Sequence, residues 1–411
     1  MTDAETGKYV ELLLWCLGGV NGQNVRIRAE VVHRDFVVRL AEAAYKEGAR
    51  TVDLDFAEPL LLRARLKHAR SEYLGVLPEY RRAQQIEYAR ADWSNITIVG
   101  SNEPDSLDGI DSSRMAAFYR SHREVHRPLL EAMTHSRKPW VMALLPTPAI
   151  AAKALPDVDP RSAFERYEQA FVEVLSLDSP DPISVWRERI AETAARSERY
   201  NQLGIVRLRF TGLGTDLSVG LLEGSRWSIA QDLIPDGRMV VVNIPSFEIY
   251  TTPDFRRTNG TVTATRPFES TSVSGQTISG AWFEFRDGAV VDFGAESGGE
   301  VLKEVLNIDR QARFLGEVAL VDLSSPVART NLNFHEVLFD ENAASHIALG
   351  AGFPPLVRGC EDLPDPQLLE VGVNASLVHD DIMIGSAEVD VVATTRQGRE
   401  VELMRQGEFV Y

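Results

Sequence analysis

The stretch VRIRAEVVHRDFVVRLAEAAYKEGARTVDLDF, Val25 to Phe56, decides the first half of the fold. VRIRAE (Val25 to Glu30) and TVDLDF (Thr51 to Phe56) are short runs of the kind that form strands. Between them, Arg34 to Glu47 reads as a helix closed by Gly48. Strand, helix and strand at this spacing make a βαβ unit, which implies a parallel sheet. Working outward, residues 8 to 18 read as an amphipathic helix ending near Gly18 and Gly19. ITIVGS (Ile96 to Ser101) and KPWVMALLP (Lys138 to Pro146) supply a third and a fourth strand. No GxGxxG follows the first strand and no GxxxxGK[ST] is present, so nothing points to a nucleotide site. His122 and His126 stand four apart with Glu124 between them, which is not HExxH; they read as surface or partly buried histidines.

PTPAIAAKALPDVDP (Pro146 to Pro160) breaks this texture, and two helices follow, about Ser162 to Leu177 and Ile183 to Gln202. They read as a bridge closing an N-terminal domain of residues 1–203. From Ile205 the chain turns to strands and Gly-rich turns: Val206 to Phe210, Met239 to Pro245, Gly260 to Pro267, Gly280 to Ala295 and Gly316 to Asp322. Phe283 to Phe293 is a hairpin turning at Asp287-Gly288. SGGEVLKEVLNID (Ser297 to Asp309) and LFDENAASHIALG (Leu338 to Gly350) read as helices. The expectation is an α/β N-terminal domain plus an α+β C-terminal domain, residues 204–411, with a largely antiparallel sheet.

Composition excludes several classes. The chain has 411 residues, 43 basic and 60 acidic, for a formal charge of -17. Non-specific nucleic-acid binding needs a basic face, and an anionic membrane surface does too. No run of 18 apolar residues suggests a membrane span, and the polar start does not read as a secretory signal. Only Cys16 and Cys360 are present, too few for a disulfide framework or a thiolate zinc site, and a reducing cytosol fits.

Chemistry concentrates in the last third. Asp340, Glu341 and His346 stand in LFDENAASHIALG; on a helix the last two lie about 140° apart and share no face. In SLVHDDIMIGS, His379 and Asp381 are two apart on an extended segment and share a face, beside apolar Ile382-Met383-Ile384. Imidazole and carboxylate pointing into such surroundings need partners or a metal, and they suit Zn²⁺, Co²⁺ or Mn²⁺. Glu317 opens the otherwise apolar FLGEVALVDL; a carboxylate there belongs at a sheet rim or inside a site. No GxSxG elbow exists and neither cysteine has a triad context, which favours a metal over a nucleophile.

The blocks NIPSFEIYTTPDFRRTNGTV, FLGEVALVDLSSPVARTNLNFHEVLFDENAASHIALG and NASLVHDDIMIGS, in this order, resemble the aminopeptidase T, aminopeptidase S and PepS family of dinuclear metalloaminopeptidases. The N-terminal stretches and RLRFTGLGTDLSVGLLEGSRW are similar to that family too, so the resemblance spans nearly the whole chain. It implies a C-terminal domain that carries two divalent metal ions (Zn, Co or Mn) on Glu248, Glu317, Glu341, His346, His379 and Asp381. In it Glu317 bridges, and Glu317 and Glu341 are the catalytic carboxylates. It also implies a homodimer acting on short peptides or another small molecule, while the composition points to a cytoplasmic chain with neither nucleic acid nor membrane as partner.

Four changes, one of them to a pair of residues, depart from the family pattern nearby. Phe247 stands where a Gly is usual, Phe353 where a Tyr is usual, and His335-Glu336 replace an aromatic-Asn pair; Ser345 replaces a Cys. Phe247, His335, Glu336 and Phe353 are therefore the substrate-pocket candidates. They also motivate an alternative on the same scaffold: a ring-cleaving dioxygenase of a hydroxylated heteroaromatic using a single Fe(II), as in proteins that resemble this family. A third possibility is a binding protein that has lost catalysis.

Overall fold

The computed structural model describes residues 1–270, 272 and 276–411. They form two compact units, Met1–Arg187 with Ala230–Pro245, and Glu188–Ile229 with Ser246–Tyr411. In the first, a parallel sheet runs in the order Thr51–Ala57, Asn24–Glu30, Trp93–Val99, Trp140–Leu144, Asn243–Ile244. The opening helix, Asp3–Cys16, starts at a capping box in which Thr2 and Glu5 satisfy each other's backbone N–H groups. The crossover helix Arg34–Lys46 buries Phe36, Val37, Leu40 and Ala44, one stripe at helical spacing.

The fifth strand is a correction. MVVVNIP is expected among the strands of the second domain, yet Asn243 and Ile244 pair in parallel with Met142 and Ala143. Val240 and Val242 pack with Ala230, Ile234 and Trp140, and Val242 O accepts the Met142 N–H at 2.9 Å. This return over a hundred residues leaves no local pattern in the sequence. A single cut after residue 203 would leave the first sheet without that strand.

The second unit is antiparallel. Its larger sheet has the order Ala289–Gly294, Trp282–Arg286, Pro253–Thr263, Thr215–Leu221, Ile205–Gly212, Asp390–Thr395, Glu400–Arg405, Glu408–Phe409. Asp287 and Gly288 turn the expected hairpin with φ of 49° and 87°, the positive pair that matches strand twist. The smaller sheet has the order Ile249–Thr251, Leu315–Leu320, His346–Gly350, His379–Met383.

The helix expected over Leu338 to Gly350 is a second correction. Two short turns, Val337–Asp340 and Glu341–Ala343, lead into the strand His346–Gly350. All five strand residues are buried. A wholly buried run shows no alternation, so periodicity cannot separate it from a buried helix.

Candidate metal centre

Register assembles the site. Glu317 lies opposite Ala348, and Ala348 opposite Asp381. Cross-strand partners share a face, as do residues two apart on one strand. Glu317, His346, His379 and Asp381 therefore project from one face of the smaller sheet. Ala348 stands between Glu317 and Asp381 in the register. Glu248 immediately precedes the strand Ile249–Thr251, next to this face.

Gly316 makes the register possible. The strand carries a bulge between Leu315 and Glu317, so Leu315 pairs with Leu349 while Glu317 joins Ala348. A Cβ at Gly316 would lie 2.1 Å from Ala351 O, so no larger residue fits.

The distances define two donor sets sharing one residue. Glu317 Oε1 is 4.0 Å from His346 Nε2, and Glu317 Oε2 is 3.3 Å from His379 Nε2. Glu248 Oε2 is 3.2 Å from His346 Nε2. Asp381 Oδ1 is 4.0 Å from His346 Nε2 and 3.8 Å from His379 Nε2. Among the described residues, Glu248, Glu317 and His346 offer ligand atoms within 4.8 Å of one another, as do Glu317, His379 and Asp381. Glu341 falls outside both sets. His379 Nδ1 is 2.8 Å from Ala351 O and His346 Nδ1 is 3.3 Å from Ala344 O, so both rings turn Nε2 toward the carboxylates.

The electrostatics ask for a cation. Glu248, Glu317 and Asp381 are 5%, 4% and 7% exposed. Glu248 Oε2, Glu341 Oε1 and Asp381 Oδ1 are buried without a hydrogen-bond partner. Burial, with the charges of Asp381 and Glu248, raises Glu317 to about 7 despite its contact with His379. Burial and the same carboxylates push Glu341 well above the usual range. Burial alone would lower the histidines, but Glu248, Asp381 and Glu317 outweigh it and raise His346 to about 9. Asp381 and Glu317 likewise raise His379 to about 10. Buried carboxylates that hold protons or protonate their histidines in this way are short of positive charge, and a divalent cation supplies it.

The flanking candidates sit in three places. The Phe353 ring meets His379 edge-on at 5.2 Å and Tyr250 at 5.4 Å. Phe247 lies 5.5 Å beneath the Arg189 guanidinium, and its N–H donates to Asn342 Oδ1 at 2.6 Å. His335, at φ 53°, is 2.8 Å through Nδ1 from Glu269 Oε1. It lines a cavity together with Glu269, Glu336 and Asp381. Asp340 belongs to neither donor set and accepts the N–H groups of Phe334 and Glu336 at 2.6 and 3.1 Å. Sequence reasoning missed Asn342, Ala348 and Glu269. The first two act through long-range pairing, and Glu269 sits far from the histidine it meets.

The sequence model of the thermophilic metalloprotease family (M29) matches residues 2–409. The chain belongs to the M29 family. The M29 chain is 35% identical to aminopeptidase T of Thermus aquaticus over 95% of itself and 94% of the relative. It is 34% identical to aminopeptidase 2 of Geobacillus stearothermophilus over 100% of itself and 98% of that protein. The solved structure of wild-type AmpT from Thermus thermophilus superposes with a TM-score of 0.89 at 32% identity, covering 99% of both chains. The 2,5-dihydroxypyridine dioxygenase of Pseudomonas putida KT2440 matches at 12% identity and a TM-score of 0.52, over 99% of this chain and 96% of that one. That likeness is one of fold alone. This M29 enzyme is a metallohydrolase of mixed α/β fold with antiparallel sheets, and its family works with a divalent metal. Among the described residues, no helix is long and apolar enough to cross a membrane.

Proposed function

We propose that this chain is a dinuclear metalloaminopeptidase that releases N-terminal residues from short peptides. One observation carries the dinuclear part: the two oxygens of Glu317 face two different histidines, 4.0 and 3.3 Å away. Glu248 and His346 would complete one site with Glu317, and His379 and Asp381 the other. The metal is Zn, Co or Mn, since carboxylate and imidazole accept each of them. Two such ions would supply Lewis acidity to the scissile carbonyl and to water.

The chain's own groups supply the rest. To Glu341, whose Oε1 is buried without a hydrogen-bond partner, we assign the transfer of a proton from the attacking water to the leaving amine. The backbone oxygens of Ala344 and Ala351 fix the histidine rings. Phe353 has no hydroxyl and so offers no hydrogen bond to a tetrahedral oxyanion. Its ring instead walls the site beside His379. The cytosol suits a chain whose cysteines, Cys16 and Cys360, are both buried and free. A homodimer is the assembly the family resemblance favours, and light scattering reads it directly.

The test is purified protein reconstituted with each metal and given dipeptides and longer peptides with free or acetylated N-termini. Release of the first residue from free N-termini only, with two metals per chain, is the expected result. A chain that cleaves nothing with any metal would overturn the proposal. One iron per chain, with oxygen consumed on a hydroxylated heteroaromatic, would give it to the dioxygenase alternative.

A further inference from the structure

Beside the candidate centre lies a cavity of about 250 Å³ whose wall includes Asp381. It therefore opens onto the donor sets. Its lining includes the apolar Phe268, Val337 and Met383. It also includes Glu269, Glu336, Asp340 and Asn333, and neither Lys nor Arg lines it among the described residues. Among the described residues its acidic side chains outnumber its basic ones. Asn333 Oδ1 is buried without a hydrogen-bond partner. The one imidazole, His335, already faces Glu269 Oε1 at 2.8 Å. Such a wall is satisfied by a ligand that brings positive charge and several N–H donors on an aliphatic stem.

We propose that this cavity receives the side chain of the substrate's first residue, and that Glu336 and Glu269 select a cationic one, lysine or arginine. The proposal rests on the aminopeptidase function above and names its substrate class. The peptide's α-ammonium offers the same chemistry from a second source. It would leave the apolar lining and most of the volume unfilled, so the side chain is the better occupant.

The test compares kcat/KM for lysyl, arginyl and norleucyl amides of one fluorogenic leaving group, on metal-loaded wild type, Glu336→Gln and Glu336→Lys. Norleucine keeps the aliphatic stem and lacks the charge. Wild type should favour the cationic amides by about tenfold or more, as polar pockets discriminate. Glu336→Gln should bring the ratio toward one, and Glu336→Lys should favour a glutamyl amide instead. A ratio does not depend on the fraction of each variant that folds. Equal cleavage of norleucyl and lysyl amides by wild type would overturn the proposal while leaving the aminopeptidase intact. Equal slowing of all amides in Glu336→Gln would also overturn it, assigning the carboxylate to the α-ammonium. If no amide is cleaved, the aminopeptidase function fails separately, and calorimetry with lysinamide and norleucinamide decides the cavity. Preference for lysinamide supports it; equal affinity ends it.

Discussion

Asn342 accepts the backbone N–H of Phe247 at 2.6 Å, joining positions 95 residues apart. Its Nδ2 donates to Leu338 O at 3.1 Å, and the side chain is wholly buried. One amide thus fixes the residue before Glu248 against the residue after Glu341. Replacing it with alanine removes the acceptor of the Phe247 N–H and the donor to Leu338 O, at a cost of about 1–3 kcal/mol. Asn342→Ala should also weaken metal affinity by roughly 10–100-fold, as loss of a supporting partner does. Urea unfolding and metal titration read the two effects separately; a variant with normal metal affinity would remove Asn342 from the support of the site.

Glu317 is the residue both donor sets need. Glu317→Gln should therefore release both metals, whereas Glu248→Gln or His379→Ala should spare one. Elemental analysis after gel filtration distinguishes these patterns. The activity loss in Glu317→Gln should exceed the roughly 10–100-fold typical of a supporting residue.

Chelation should lower the melting temperature as well as stop turnover. An ion present at 1,000 times its Kd stabilises the folded chain by about 4 kcal/mol. Relief of repulsion among Glu248, Glu317, Glu341 and Asp381 is part of that binding free energy. Calorimetry with and without chelator checks it, and identical melting would argue against a metal among these groups.

Phe353→Tyr places a hydroxyl beside His379. If the position donates to a developing oxyanion, kcat should rise by roughly 10–100-fold with little change in KM. Steady-state kinetics on one dipeptide measure it. A rise in KM alone would show that the aromatic wall serves packing.

Lys138, in the first unit, is fully buried. Its ammonium donates to the backbone oxygens of Tyr88 and Arg90. Burial, with the charge of Arg26, lowers it to about 7. The unfolded value is about 10.4, so between the two the unfolded chain holds a proton the folded chain has lost. That difference makes stability rise with pH from about 7 to about 10. Lys138→Met should lack this increment, so the stability of wild type relative to the variant should rise between pH 7 and pH 9. Urea midpoints at both values test it.

Elements with strong local patterns were legible in the sequence. The crossover helix shows its stripe at Phe36, Val37 and Leu40, and the Asp287-Gly288 turn shows its two residues of positive φ. His379 and Asp381 share a face as their spacing of two predicts. What failed depended on distant partners. His346 lies in a strand because Ala319 and Met383 flank it, and neither is nearby in sequence. The same holds for Asn243 and Ile244, whose strand is defined only by Met142 and Ala143. Glu248 was reached through the family resemblance, since nothing in the spacing around NIPSFE marks it as a ligand.

The Asn243–Ile244 strand also bears on how the chain is made. A ribosome would release residues 1–203 long before that strand, leaving Trp140–Leu144 as an open edge. During synthesis the first unit must wait for a segment encoded beyond its own helices, and Glu248 follows that segment by only a few residues. Nascent chains arrested before and after residue 245 should differ in protease resistance. The segment that closes the parallel sheet and the first of the proposed metal ligands thus leave the ribosome nearly together.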